Sequence, residues 1–246
     1  MNSMPVSKRA KHSLAGIVVL VARGLTIAAL VMLAGTAASA QGPDLQQKLA
    51  QVKQAAALNQ QALHQYQWTE TTQLTLKGDP KPAAQKLCQY GPDGQVHKTA
   101  IGPPPEQPSG GRMKQRIVAK KKEELLDYME DVKGVLAMYV PPDPQRMQAA
   151  FAAGKMSLNP VGGLLNLIFT DYAQPGDRMT LTFDTTSKKI VSLSVDTYMG
   201  QAKDAVTLQA QMATLPDGPN FTQRTVLNAS AKQLVVTTTN SAYQRL

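Results

Sequence analysis

The last third of the chain leaves little choice of fold. Leu165, Leu167 and Phe169 precede a turn at Gln174-Pro175-Gly176-Asp177, after which Met179, Leu181 and Phe183 alternate with Thr180 and Thr182. Val191, Leu193 and Val195 alternate with Ser192, Ser194 and Asp196, and Val206, Leu208, Ala210 and Met212 alternate with Thr207, Gln209 and Gln211. Pro216-Asp217-Gly218-Pro219 reverses the chain before segments from Phe221 to Ala229 and from Leu234 to Thr239. A period of two sends successive side chains to opposite faces, so these segments read as strands with one apolar face. Six short strands joined by tight turns, with no helix between them, must pair as an antiparallel meander.

Upstream the pattern is mixed. Leu45, Leu49, Val52, Ala56 and Leu63 follow helical spacing, which predicts a helix over 44–65 capped by Asp44. From Tyr66 the period becomes two, with Tyr66, Trp68, Leu74 and Leu76 on one face, and Gly78-Asp79-Pro80 then turns the chain. Strands are predicted from Gln85 to Tyr90 and from Gln95 to Ile101, joined by Gly91-Pro92-Asp93-Gly94. The segment from Gly102 to Gly111 holds four prolines and three glycines, so it reads as a mobile surface linker. Beyond it Val118, Leu125, Met129, Val132, Leu136 and Tyr139 outline an amphipathic helix that ends at Pro141-Pro142. Asp143 and Pro144 open a second helix, with Met147, Ala150 and Phe151 as its stripe and Gly154 as its stop.

The first forty residues read as an address. Lys8, Arg9 and Lys11 lead into an apolar stretch from Leu14 to Ala34, interrupted by Arg23, and Ala38-Ser39-Ala40 has the small-x-small form of a cleavage site. Neither uninterrupted apolar run approaches the ~20 residues of a membrane span. The expectation is a signal peptide over 1–40, cleaved after Ala40, and a periplasmic or secreted single domain over 41–246. The leader carries four cations and no acid, so part of the formal charge of +9 is targeting. The remaining basic residues gather in Lys114, Arg116, Lys120, Lys121 and Lys122, next to Glu123, Glu124, Asp127, Glu130 and Asp131. Acidic neighbours and missing aromatics argue against nucleic acid. They leave a solvated helix face, with Lys120 and Glu124 spaced to pair, or contact of Lys120, Lys121 and Lys122 with an anionic membrane surface or an acidic envelope partner.

No catalytic or metal motif stands out. His64 and His97 have no second ligand at a diagnostic spacing, and His64 falls where a histidine commonly meets the last carbonyls of a helix. The lone Cys88 has no partner within the chain and reads as a buried small hydrophobe. Asp127 and Asp131 lie on adjacent helical turns and read as solvated. Neither a nucleophile elbow, nor a zincin motif, nor a phosphate-cradling loop occurs. The expectation is a protein that is not an enzyme and needs no cofactor or metal.

What remains is the apolar face of the meander. Trp68, Leu76, Phe169, Leu181, Phe183, Leu193, Val195, Leu208 and Met212 would share it, covered by the helices. Such a face either fills as an ordinary core or leaves a cleft for an apolar ligand. Eight of the 11 methionines lie beyond the leader, and thioether side chains suit either outcome. The order of leader, helix, first meander, inserted helices and second meander resembles the LolA-like superfamily of periplasmic lipoprotein carriers. Phrases such as Gln89-Tyr90-Gly91-Pro92-Asp93-Gly94, Tyr139-Val140-Pro141-Pro142-Asp143-Pro144 and Thr239-Asn240-Ser241-Ala242-Tyr243 are similar to those of small exported bacterial proteins. The resemblance implies an α+β fold, an antiparallel meander curled as an incomplete β-barrel, with an N-terminal helix and inserted helices over its concave face. It also implies a non-enzymatic envelope protein that binds a lipid, a lipoprotein acyl chain or a similar apolar ligand. The alternative is a structural or protein-interaction module with a packed core and no ligand.

Overall fold

The structure is a computed structural model that describes residues 54, 57–102 and 112–246. The leader, the Asp44 cap, most of the predicted first helix and residues 103–111 of the linker lie outside the described residues. A helical run at 57–63 leads directly into the first strand.

Eleven strands of the described residues form one sheet. The first group comprises β1 (Tyr66–Leu76), a two-residue β2 (Asp79–Pro80), β3 (Ala84–Tyr90) and β4 (Val96–Ile101). Two helices follow, α1 (Arg112–Leu136) and α2 (Pro144–Ala152). The second group is β5 (Met156–Val161), β6 (Leu164–Thr170), β7 (Arg178–Asp184), β8 (Lys189–Tyr198), β9 (Ala205–Thr214), β10 (Asn220–Ala229) and β11 (Leu234–Arg245). The spatial order is β4-β3-β1-β11-β10-β9-β8-β7-β6-β5, with β2 against β1. Every pairing is antiparallel, so the short turns expected from the sequence do form the ladder. The pairing of β1 with β11 joins the two meanders. Among the described residues β4 and β5 are the edges, and the sheet is not closed into a barrel.

Register turns the alternating pattern into a core. Phe169 lies opposite Met179, Met179 opposite Val195, Val195 opposite Leu208, Leu208 opposite Leu227, Leu227 opposite Val236, and Val236 opposite Leu74. One apolar row thus crosses the sheet from β6 to β1. Its cover is the second half of α1, through Tyr128, Met129, Val132 and Leu136, together with Met147 and Ala150 of α2. Each fully buried aliphatic side chain here contributes about 1.5–3 kcal/mol. α2 starts as its sequence requires: Asp143 Oδ1 accepts from the Gln145 amide at 2.8 Å, with proline in the first turn. Past the α2 cap, Gly154 takes a φ of +67°, which a side chain would strain.

Three details differ from the sequence reading. A seventh strand, β5, precedes the six expected in the last third. Pro160 within it is tolerated because β5 is an edge, where a missing amide costs no ladder bond. On β8 the register shifts between Thr182 and Phe183 of β7, so Ile190 lies opposite Phe183 and is buried, while Val191 is only half-buried. On α2, Phe151 is 53% exposed and does not join the stripe of Met147 and Ala150.

Candidate functional site

The nine residues expected on the apolar face divide into two groups. Phe169, Leu181, Leu193, Val195 and Leu208 are 0–1% exposed and Phe183 is 6% exposed, all within the cluster that includes α1 and α2. Leu76 and Met212 are half-buried and pack against the same cluster. At this burial no space for a ligand remains beside the six buried side chains while the helices stay in place. Trp68, 4% exposed, sits elsewhere, between Tyr90 and Tyr243, with ring centroids at 5.6 and 5.5 Å. His64 stacks on Tyr90 at 4.2 Å, with its Nε2 buried and without a hydrogen-bond partner rather than meeting a helix-end carbonyl.

A buried polar belt separates these two regions. Thr72 lies opposite Thr238 and Thr238 opposite Thr225, while Glu70 lies opposite Asn240. Glu70, Thr238, Thr225, Asn240 and Thr222 are all less than a tenth exposed. Lys98 Nζ donates to Glu70 Oε2 in a buried ion pair. The Trp68 indole N–H donates to Asn240 Oδ1 at 3.2 Å, and Asn240 Nδ2 donates to the Thr222 carbonyl at 2.8 Å. Glu70 Oε1 is buried without a partner. Cys88, directly opposite Lys98 and Trp68, is fully buried. Burial first, and then the Glu70 charge, pushes its thiol up to about 11, so it stays protonated and unreactive at neutral pH. Apolar periodicity missed Glu70 and Lys98, although both occupy inward positions of alternating strands.

α1 is held very unevenly. Just past its end, the Tyr139 hydroxyl donates to Asp177 Oδ2 at 2.5 Å and lies 2.8 Å from Thr197 Oγ1. Asp177 also accepts from the backbone amides of Tyr172 at 2.5 Å, Ala173 at 2.9 Å and Gln174 at 2.7 Å. Tyr172 in turn receives the Asp143 amide on its hydroxyl at 2.7 Å. Burial, then the Asp177 hydrogen bond, holds the Tyr139 phenol far above its ordinary range, and burial pushes Tyr172 up to about 12. Along α1 itself, among the described residues, no hydrogen bond or ion pair reaches the sheet. The one polar approach is the Lys232 ammonium, 5.8 Å from the Tyr128 ring centroid, and the Tyr128 hydroxyl is buried without a partner. The covering half of the helix therefore rests on apolar contact and is pinned at its C-terminal end.

Lys120, Lys121 and Lys122 are exposed, on the half of α1 that the sheet does not cover. The spacing of Lys120 and Glu124 does not produce a pair; among the described residues the ion pair on α1 is Lys133 with Glu130 at 3.0 Å. Asp127 and Asp131 are exposed, as expected of a solvated face. His97 meets Asp93 Oδ1 at 3.2 Å on the surface. Among the described residues no three His, Cys, Asp or Glu side chains converge as a metal site. A shallow depression of about 550 Å³ beside α1, bordered by Glu130, Asp131, Gly134, Val135, Met138 and Met199, opens broadly to solvent. No helix of the described residues is long and apolar enough to cross a membrane.

Fold and site together define an open antiparallel sheet with one apolar face under a helical cover. No protein-family model matches the chain, and no curated protein matches it. Among solved structures it is similar to a DUF1329 family protein from Desulfovibrio piger, at 9% identity over 77% of this chain and 90% of that one, with a TM-score of 0.35.

Proposed function

We propose that the chain is an exported, non-enzymatic envelope protein that holds a lipid, a lipoprotein acyl chain or a similar apolar ligand between its sheet and α1. The observation that carries this reading is the asymmetry of the cover. α1 closes a broad apolar face through side chains that an acyl chain can replace, and among the described residues its polar anchorage lies at Tyr139, past its C-terminal end. Lifting α1 exposes the row from Phe169 to Leu74 and costs apolar contact, which an acyl chain restores at ~0.8 kcal/mol per buried methylene. Among the described residues no buried ion pair or hydrogen bond has to break along the helix. The incomplete barrel is the finer form of this reading, since an antiparallel sheet of this width curls around what covers it.

The test is uptake of a fluorescent fatty acid by delipidated protein. Saturable uptake, displaced by unlabelled acyl lipid, is expected; failure of the delipidated protein to take up any probe overturns the reading. One observation favours a second reading, a structural or protein-interaction module with a packed core: six of the nine expected lining residues are already filled in around by protein. Absence of uptake decides for that module.

A further inference from the structure

The half of α1 that the ligand reading leaves unused is the strongest remaining feature of the surface. α1 runs for 25 residues, and its contact with the core begins only at Leu125. Before that point Met113, Ile117 and Val118 are 80%, 53% and 36% exposed, and Arg116, Lys120, Lys121 and Lys122 are exposed with them. None of these four cations forms an ion pair among the described residues. The first turn contains no acidic residue, although a helix N-terminus favours anions and disfavours nearby cations. The exposed acids Glu123, Glu124 and Asp127 come only after Lys122, so among residues 113–122 every charge is positive. Met113 and Ile117 share one side of the helix at i and i+4, and neither joins the apolar clusters of the described residues.

We propose that residues 113–122 of α1 dock on an anionic lipid surface, with Met113 and Ile117 entering the headgroup boundary and Arg116, Lys120 and Lys121, which flank them on the helix, meeting lipid phosphates. Cations next to exposed apolar side chains fit an interface that is apolar below and anionic at headgroup level, and lysine stems reach from one to the other. The docking stands independently of ligand uptake, though it would place the free end of the cover at the membrane from which an acyl chain would come.

Vesicle co-sedimentation tests it, using the full chain in whatever processed form the expressing cell leaves it. Vesicles of phosphatidylcholine with about one-third phosphatidylglycerol should bind the protein, binding should fall steeply as salt shortens the screening length, and pure phosphatidylcholine should bind far less. Each cation near such a surface is worth roughly fivefold in partitioning, so Lys120→Glu with Lys121→Glu and Lys122→Glu should weaken binding at least ~100-fold. All three positions are exposed, and an unchanged melting temperature would show that the fold is intact. Ile117→Trp should give a blue-shifted emission on anionic vesicles, distinguishable from Trp68 because Trp68 is 4% exposed. Fatty-acid uptake should be unchanged in the charge-reversed variant, so failure here and failure of the ligand reading remain separate. Equal binding to both vesicle types overturns the proposal. So does undiminished binding by the charge-reversed variant, or capture of an anionic envelope protein without any binding to vesicles.

Discussion

Removing one hydroxyl at the end of α1 should cost more than its size suggests. Tyr139→Phe keeps a ring that is 0% exposed and its contact with Tyr172 at 5.8 Å between centroids. It deletes the donor to Asp177 and the bond with Thr197. A hydrogen bond to a charged acceptor contributes about 1.5–3 kcal/mol, and Asp177 retains three backbone donors, so a loss near 2 kcal/mol is expected. In a chain of this size that corresponds to roughly 4–8 °C in melting temperature. Asp177→Ala is harsher, because three backbone amides and the Tyr139 hydroxyl lose their acceptor together, and about 4 kcal/mol is expected. In the double variant the two losses should fall short of additivity by about 1–2 kcal/mol, since they share one bond. Urea unfolding followed by the fluorescence of the single tryptophan, Trp68, reads all four corners of the cycle. A Tyr139→Phe variant within ~0.5 kcal/mol of the parent would refute the view that this knot anchors the cover.

Three further outcomes follow from the same geometry. Lys98→Met strands the Glu70 carboxylate in the buried belt and should cost about 3–5 kcal/mol, whereas combining it with Glu70→Gln should recover much of that loss in the same urea assay. Stability should decline as pH rises above about 9: the thiol of Cys88 and the phenols of Tyr139, Tyr172 and Tyr243 all hold their protons more tightly when folded, so the unfolded chain releases protons first. The onset of that decline, between about pH 9 and about 10, belongs to Cys88, whose unfolded thiol titrates below the phenols; it should disappear from the pH profile of melting temperature in Cys88→Ala, while the part above about pH 10 remains. Asp143→Ala removes the cap of α2 and should lower stability by ~1 kcal/mol by chemical unfolding, with no change in far-ultraviolet dichroism beyond that helix.

What could be read from the chain follows the physics of local pattern. Met179, Leu181 and Phe183 alternate without interruption, and they form β7 with all three buried. Asp143-Pro144 capped its helix as local chemistry demands. β5 was hidden because Pro160 and the Gly162-Gly163 turn resemble loop until an adjacent β6 makes the segment an edge strand. Ile190 took the place expected of Val191 because one bulge in the ladder changes the face of everything beyond it, and a bulge has no apolar signature. The neighbouring of β1 and β11 depends on contacts between the two ends of the fold, which periodicity does not encode. At the site, the inward face was legible as a set of apolar residues, but Glu70 and Lys98 were passed over because polar types score against a core. Whether Leu193 and Leu208 line a cleft or a filled core depends on how closely α1 settles on them, a property of volume rather than order.

The central claim is that the space between sheet and α1 belongs to an apolar ligand as well as to the helix. Native mass spectrometry of protein purified without detergent tests it most directly. The account predicts a species heavier than the polypeptide by the mass of an acyl lipid, released as an intact lipid on collisional activation. Polypeptide mass alone in every preparation, from protein that also binds no fatty-acid probe, would contradict it.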